Sequence, residues 1–161
     1  MANTYSQIYV QIVFAVHGRQ NLIRPECKEE LHKYITGIVA RQGQKLLAIH
    51  AMPDHIHVLI GLKPSMALSD SVREIKTGAT THINENHRVP GRFAWQEGFG
   101  AFSYSHSQLT DVIRYIQNQE AHHNRKGFQE EYREFLRRFN VAYDERYLFQ
   151  PVDDSCRPAG A

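Results

Sequence analysis

The order of apolar and polar positions along the chain alternates between two periods. Residues 5–18, "YSQIYVQIVFAVHG", are rich in β-branched and aromatic side chains and end on Gly18, which predicts a strand. Over 24–43 the period lengthens. Leu31, Tyr34, Ile35, Ile38 and Val39 recur at helical spacing, Pro25 suits a first turn and Gly43 suits the exit. "KLLAIHAM" (45–52) returns to a strand, Pro53 and Asp54 make a turn, and "HIHVLIGL" (55–62) is the next strand, so the two predict a hairpin. Residues 68–86 read as a helix capped by Ser69 or Asp70, with Val72, Ile75, Ala79 and Ile83 facing inward. "RFAWQ" and "FGAFSYS" read as short aromatic strands on either side of a turn at Gly98. Helices follow over 109–123, starting near Thr110, and over 128–140, with Tyr132, Phe135, Leu136 and Phe139 on one face. The tail from Gln150 is polar, carries Pro and Gly, and is expected to be loose.

This succession of strand, helix, strand, strand, helix and strand, with helices appended, predicts an α+β fold. The expected form is the ferredoxin-like (split βαβ, RRM-like) antiparallel sheet with helices on one face and an appended C-terminal tyrosine-bearing helix. No internal repeat or linker divides the chain, so residues 1–149 form one expected domain and 150–161 a tail. The length of 161 residues agrees, since single domains run about 100–200 residues.

Composition narrows the class without naming a function. Hydrophobic residues make up 42% and charged residues 22%, the balance of a soluble globular protein. A net charge of +2 is too small to argue for nucleic acid by itself. Cys27 and Cys156 form no CxxC pair and read as free thiols in a reducing compartment. No apolar run approaches the ~20 residues of a membrane span, and the N-terminus has no secretory pattern. A cytosolic protein is expected. Histidine, at ten residues, is the count that stands out.

Two of those histidines sit inside an apolar strand, "MPDHIHVLI". Alternation puts His55 and His57 on one face with Leu59, while Ile56, Val58, Ile60 and Leu62 face the core. Two imidazoles about 7 Å apart along one face can share a divalent transition metal. HxH by itself is weakly specific, because strands also carry exposed histidine pairs that bind nothing. A second clue lies in "YIQNQEAHH", where Tyr115 and Gln119 stand one helical turn apart beside the apolar Val112, Ile113 and Ile116. By itself that pair is equally a packed tyrosine above a solvated glutamine. Together the clues describe chemistry. A metal on two histidines and an amide oxygen keeps open positions and polarises a phosphodiester. Tyr115 can then attack phosphorus, and the resulting ester conserves bond energy for rejoining.

"PDHIHVLI" together with "WQEGFGAFSYSHSQLTDVIRYIQNQEAHH" resembles the single-tyrosine HUH transposases of the insertion-sequence 200/605 family, with Ile56 as the bulky residue between the histidines. The resemblance runs from "IYVQIVFAVHGRQNLI" to "FQEEYREFL". It implies that His55, His57 and Gln119 ligate the metal and that Tyr115 is the nucleophile. It further implies Mg²⁺ or Mn²⁺ as cofactor and single-stranded DNA with subterminal hairpins as partner. The reaction implied leaves a 5′-phosphotyrosine and a free 3′-hydroxyl. A homodimer with active-site sharing between subunits, acting at the bacterial nucleoid, completes the expectation.

Arg73 and Lys76 match positions where the family carries basic residues, and Arg114, Arg125 and Lys126 flank the tyrosine helix. All five are candidate phosphate contacts, or else solvated surface charges. His122 and His123, at the end of that helix, read as capping or phosphate contacts. Two other readings compete. A domesticated transposase acting on repeated palindromes usually carries Asn-Pro after the helical tyrosine, where this chain has "YIQNQE". A non-catalytic single-strand binding module would stack bases on Phe99, Phe102 and Tyr104, but would need neither HxH nor the Tyr–Gln pair.

Overall fold

The protein is described by a computed structural model, which covers residues 4–19, 21–123 and 127–148. Arg125, Lys126 and the tail 150–161 lie outside the described residues, as do the side chains of His122 and His123. The elements are β1 (Tyr9–Ala15), α1 (Pro25–Arg41), β2 (Lys45–Ala51), β3 (His55–Gly61), α2 (Leu68–Glu85), β4 (Gly100–Tyr104), α3 (Leu109–Gln117), α4 (Gln119–His123), α5 (Phe128–Arg138) and α6 (Glu145–Leu148). The strands form one antiparallel sheet in the order β2-β3-β1-β4. This is the ferredoxin-like α+β arrangement that the element order predicts.

Strand alternation divides the sheet into two unlike faces. Val10, Ile12 and Phe14 of β1 and Ile56, Val58 and Ile60 of β3 turn to one side, where Leu31, Ile35 and Ile38 of α1 and Val72, Ile75 and Ala79 of α2 cover them. Burying each large aliphatic side chain there contributes about 1.5–3 kcal/mol. The two helices approach closely at Gly78, where a Cβ would lie 2.6 Å from Ile38 Cδ1. The other side carries Gln11, Val13, His55, His57 and Leu59, in the register Gln11↔Leu59 and Val13↔His57. It is roofed by α3 through Val112 and Ile116 and by α5 through Phe128, Phe135 and Leu136. The appended helices therefore close the face opposite α1 and α2, and both faces of the sheet are covered.

Several local expectations are corrected. Residues 92–96, "RFAWQ", form no strand. Only Trp95 bridges to Val16, because Phe93 and Trp95 turn into the core and pack edge-on against each other and Phe14. Helix α2 begins one residue before Ser69, with Ala67 at the cap position and no side-chain cap. The helix expected over 109–123 breaks at Asn118, a poor helix former, whose backbone leaves helical geometry and divides it into α3 and α4. The first strand is shorter than expected at both ends: it begins at Tyr9, and beyond it a 3-10 turn with Gly18 at φ 66° takes up His17–Arg19. The short α6 has no counterpart in the sequence pattern. None of the helices among the described residues is long and apolar enough to cross a membrane.

Candidate active site

His55 and His57 are fully buried between β3 and the helical roof. The aspartate preceding the strand fixes the first ring: Asp54 Oδ1 accepts the Nδ1–H of His55 at 2.7 Å. On β1, one strand over, Gln11 Oε1 accepts the Nδ1–H of His57 at 2.8 Å, and the Gln11 amide donates onward to the Tyr104 hydroxyl at 2.8 Å. With both protons on Nδ1, both Nε2 lone pairs are available as donors, the arrangement in which metal-ligating histidines are held by outer partners. Phe128 stacks on the His55 ring at 4.0 Å.

The third group comes from α5. Glu131 is buried, and its Oε1 lies 3.0 Å from His57 Nε2 and 3.9 Å from His55 Nε2. One donor atom from each of His55, His57 and Glu131 falls within 4.8 Å of the other two. Two neutral imidazole nitrogens and one carboxylate oxygen, all in reach of one point, suit a divalent cation, so the residues present fit a metal ion. The hydroxyl of Tyr115 donates to Glu131 Oε2. Burial, and after it the Glu131 carboxylate, push the Tyr115 phenol well above its ordinary pKa. The phenol is therefore held as O–H, with a proton acceptor already in contact.

Gln119 is fully buried as well, and its amide donates to the Tyr115 backbone carbonyl at 3.3 Å. Its side chain also hydrogen-bonds the phenol, an effect that opposes the upward shift. The break at Asn118 thus leaves the Tyr–Gln pair together. A cleft of about 370 Å³, lined among others by Tyr104, Asp111, Tyr115, Glu131 and Arg138, opens beside the Tyr115 ring. All of these groups belong to one chain.

The structure brings His55, His57, Tyr115 and Gln119 together, and of the described candidate DNA contacts it leaves Arg73 and Lys76 apart from them. Arg73 is exposed on α2 and pairs with Asp70 at 3.1 Å. Lys76 donates to the carbonyls of Gln96 (2.9 Å) and Gly98 (2.6 Å), and burial lowers its pKa. Both lie on the helix that packs against the opposite face of the sheet. Arg114 is exposed on α3 near Asp111.

Sequence reasoning missed Glu131, Gln11 and Asp54. The signal for Glu131 was present, since it stands three residues after Phe128 and four before Phe135, inside the apolar stripe of α5. A carboxylate at such a position has to find a partner. Gln11 is the polar residue among the inward positions of β1, and the same rule applies to it.

Comparisons with known proteins bear on the family and the fold. The sequence model of the family described as "Transposase IS200 like" matches residues 4–119. The ISDra2 transposase TnpA of Deinococcus radiodurans is 21% identical over 118 residues, covering 70% of this chain and 84% of the relative. Among solved structures, a Deinococcus radiodurans protein assigned to the transposases superposes with a TM-score of 0.56 at 21% identity, covering 74% of this chain and 95% of the other. A REP-associated tyrosine transposase bound to a REP hairpin superposes with a TM-score of 0.57 at 17% identity, covering 76% of this chain and 73% of the other. These two likenesses establish the shared fold, and the family match takes in every strand, HxH and the Tyr–Gln pair. The chain belongs to the IS200-like transposase family.

Proposed function

We propose that the protein cleaves and rejoins single-stranded DNA at the ends of an insertion sequence through a covalent bond to Tyr115. The observation that carries this reading is the Tyr115 hydroxyl, hydrogen-bonded to the same carboxylate that approaches both Nε2 atoms of the HxH pair. A nucleophile, a proton acceptor and two imidazole donors meet at one edge of an open cleft.

The phenol oxygen of Tyr115 attacks phosphorus, and the bond from phosphorus to the 3′ oxygen breaks. The 5′ side remains as a phosphotyrosine ester and the other strand leaves as a 3′-hydroxyl. Glu131 is placed to accept the phenol proton, and the leaving oxygen takes up one. Attack by a 3′-hydroxyl on the ester reverses the step and returns Tyr115. His55 and His57 would hold Mg²⁺ or Mn²⁺, which supplies positive charge to the phosphodiester oxygens. The resemblance offers Gln119 as the next ligand. Gln11 and Asp54 keep the imidazoles in the donor tautomer.

The REP-hairpin complex of one structural neighbour supports a DNA hairpin as the recognised element. The sheet ends in two edge strands, β2 and β4, and open edges favour pairing with a second copy. This supports the homodimer that the resemblance implies. Sharing of the tyrosine between subunits would exchange a site that a single chain already assembles.

The test is a single-stranded oligonucleotide carrying an element end, incubated with Mg²⁺ and run on a denaturing gel. A protein–DNA adduct is expected with wild type and none with Tyr115→Phe, which keeps the ring and removes the hydroxyl. Mass spectrometry should place the nucleotide on Tyr115. An adduct on another tyrosine, or one that persists in Tyr115→Phe, overturns the reading. Binding without any adduct would leave only a binding module.

A further inference from the structure

We infer that Glu131 is the third metal ligand and, through its other oxygen, the group that holds the nucleophile, so that α5 is part of the active site. The inference rests on the metal-assisted reading of His55 and His57. It departs from the family resemblance, which places that ligand at Gln119, on the helical segment directly after the tyrosine.

Asp54 and Gln11 each accept an Nδ1–H, so each ring presents only a lone pair at Nε2. A carboxylate oxygen also presents only lone pairs. His57 Nε2 and Glu131 Oε1 nevertheless stand 3.0 Å apart with almost no solvent, and His55 Nε2 is 3.9 Å from the same oxygen. A proton on His57 Nε2 makes that contact a hydrogen bond and joins one imidazole to the carboxylate. A divalent cation serves all three donors at once. The spacing agrees, since ligands about 2.1 Å from a six-coordinate ion at right angles lie about 3 Å from each other.

Glu131 Oε2 accepts the Tyr115 hydroxyl while Oε1 faces the imidazoles. One carboxylate therefore spans from the metal position to the nucleophile and sets the distance between them. The Gln119 amide nitrogen donates to the Tyr115 backbone carbonyl, and the side chain hydrogen-bonds the phenol. Hard cations prefer carboxylate to amide oxygen, and a buried carboxylate needs a cation. The family match ends at residue 119, so the residue that completes the triad lies in the C-terminal helix beyond the matched span.

The experiment is Mn²⁺ binding without DNA, followed by the loss of the free-ion electron paramagnetic resonance signal and by the rise in Tm on adding Mn²⁺. Wild type should bind and be stabilised. Glu131→Gln should bind at least about tenfold more weakly, with its Tm in chelator unchanged or raised, because it no longer buries a carboxylate. Glu131→Asp should recover part of the affinity. Gln119→Ala should keep wild-type affinity. Wild-type affinity in Glu131→Gln overturns the inference, and if Gln119→Ala is then the weak binder, the ligand is the one that the resemblance suggested. Wild-type affinity in His57→Ala instead overturns the metal assignment to HxH itself. If Glu131→Gln fails to fold, Glu131→Asp carries the same comparison: an affinity between those of wild type and His57→Ala supports ligation, and wild-type affinity overturns it.

Discussion

The two faces of the sheet are built by the same strands and follow opposite rules. On the face under α1 and α2, every inward residue of β1 and β3 is aliphatic or aromatic, and packing alone accounts for its choice. One residue along each strand, the face under α3 and α5 carries Gln11, His55 and His57, and it draws in Glu131 from the roof. Each of these polar groups loses water on folding and has to recover a hydrogen bond or a charge partner. The first face stabilises the domain, and alternation allows the second to hold chemistry without disturbing the first. The face under α3 and α5 still has its own apolar frame, with Phe102, Phe128, Phe135 and Leu136 around the polar centre. That frame keeps the carboxylate and the imidazoles in a medium where each charge is strongly felt.

The largest effect that separates the faces should come from neighbouring residues on β3. His57→Ala is expected to abolish strand cleavage while leaving DNA hairpin binding and the mass in solution near wild type, by oligonucleotide cleavage assay and sedimentation. Cleavage at the wild-type rate in Mg²⁺ would break the division of labour between the faces. Ile56→Ala, one position earlier and facing the other way, should do the reverse. It should cost about 2–5 kcal/mol in denaturant unfolding and, at temperatures where the protein stays folded, leave the adduct yield intact.

Smaller effects probe how the second face is held. Gln11→Leu removes the acceptor for His57 Nδ1–H and the donor to Tyr104. Metal affinity or activity should fall about 10–100-fold, and an unchanged affinity would show that the imidazole needs no outer partner. His50 is paired with His57 across β2 and β3, and burial pushes its pKa down to about 4. The unfolded chain therefore binds a proton near pH 6.5 that the folded chain refuses. Stability from this group is complete above pH 6.5 and declines as pH falls from 6.5 towards 4. Unfolding curves at pH 7 and pH 5 should differ more for wild type than for His50→Asn. The smallest effect is expected for Glu120→Gln, which breaks the ion pair from Lys28 to α4 (2.6 Å). With Glu120 largely exposed, the loss should not exceed about 1 kcal/mol and should shrink in high salt.

Local periodicity was enough to place all four strands, α1, α2 and the helical character of 109–138, because repeats of two and of about 3.6 residues are written in the order of side chains. It failed at "RFAWQ", where a strand-like composition serves core packing instead, and at Asn118, where one residue interrupts an otherwise helical stretch. The catalytic candidates His55, His57, Tyr115 and Gln119 were legible because each pair lies within five residues, and their spacing alone puts them on one face.

What the sequence by itself determined is therefore the pair of histidines on one strand face, the tyrosine with its glutamine, and the ferredoxin-like order of elements. What only the tertiary structure decided is the company those residues keep. Gln11 reaches His57 from 46 residues away and Glu131 from 74. No local period encodes such distances. They follow from how α5 settles across the sheet, driven by its phenylalanines, and the buried carboxylate carried with it meets the imidazole of His57, which offers the polar partner that burial requires.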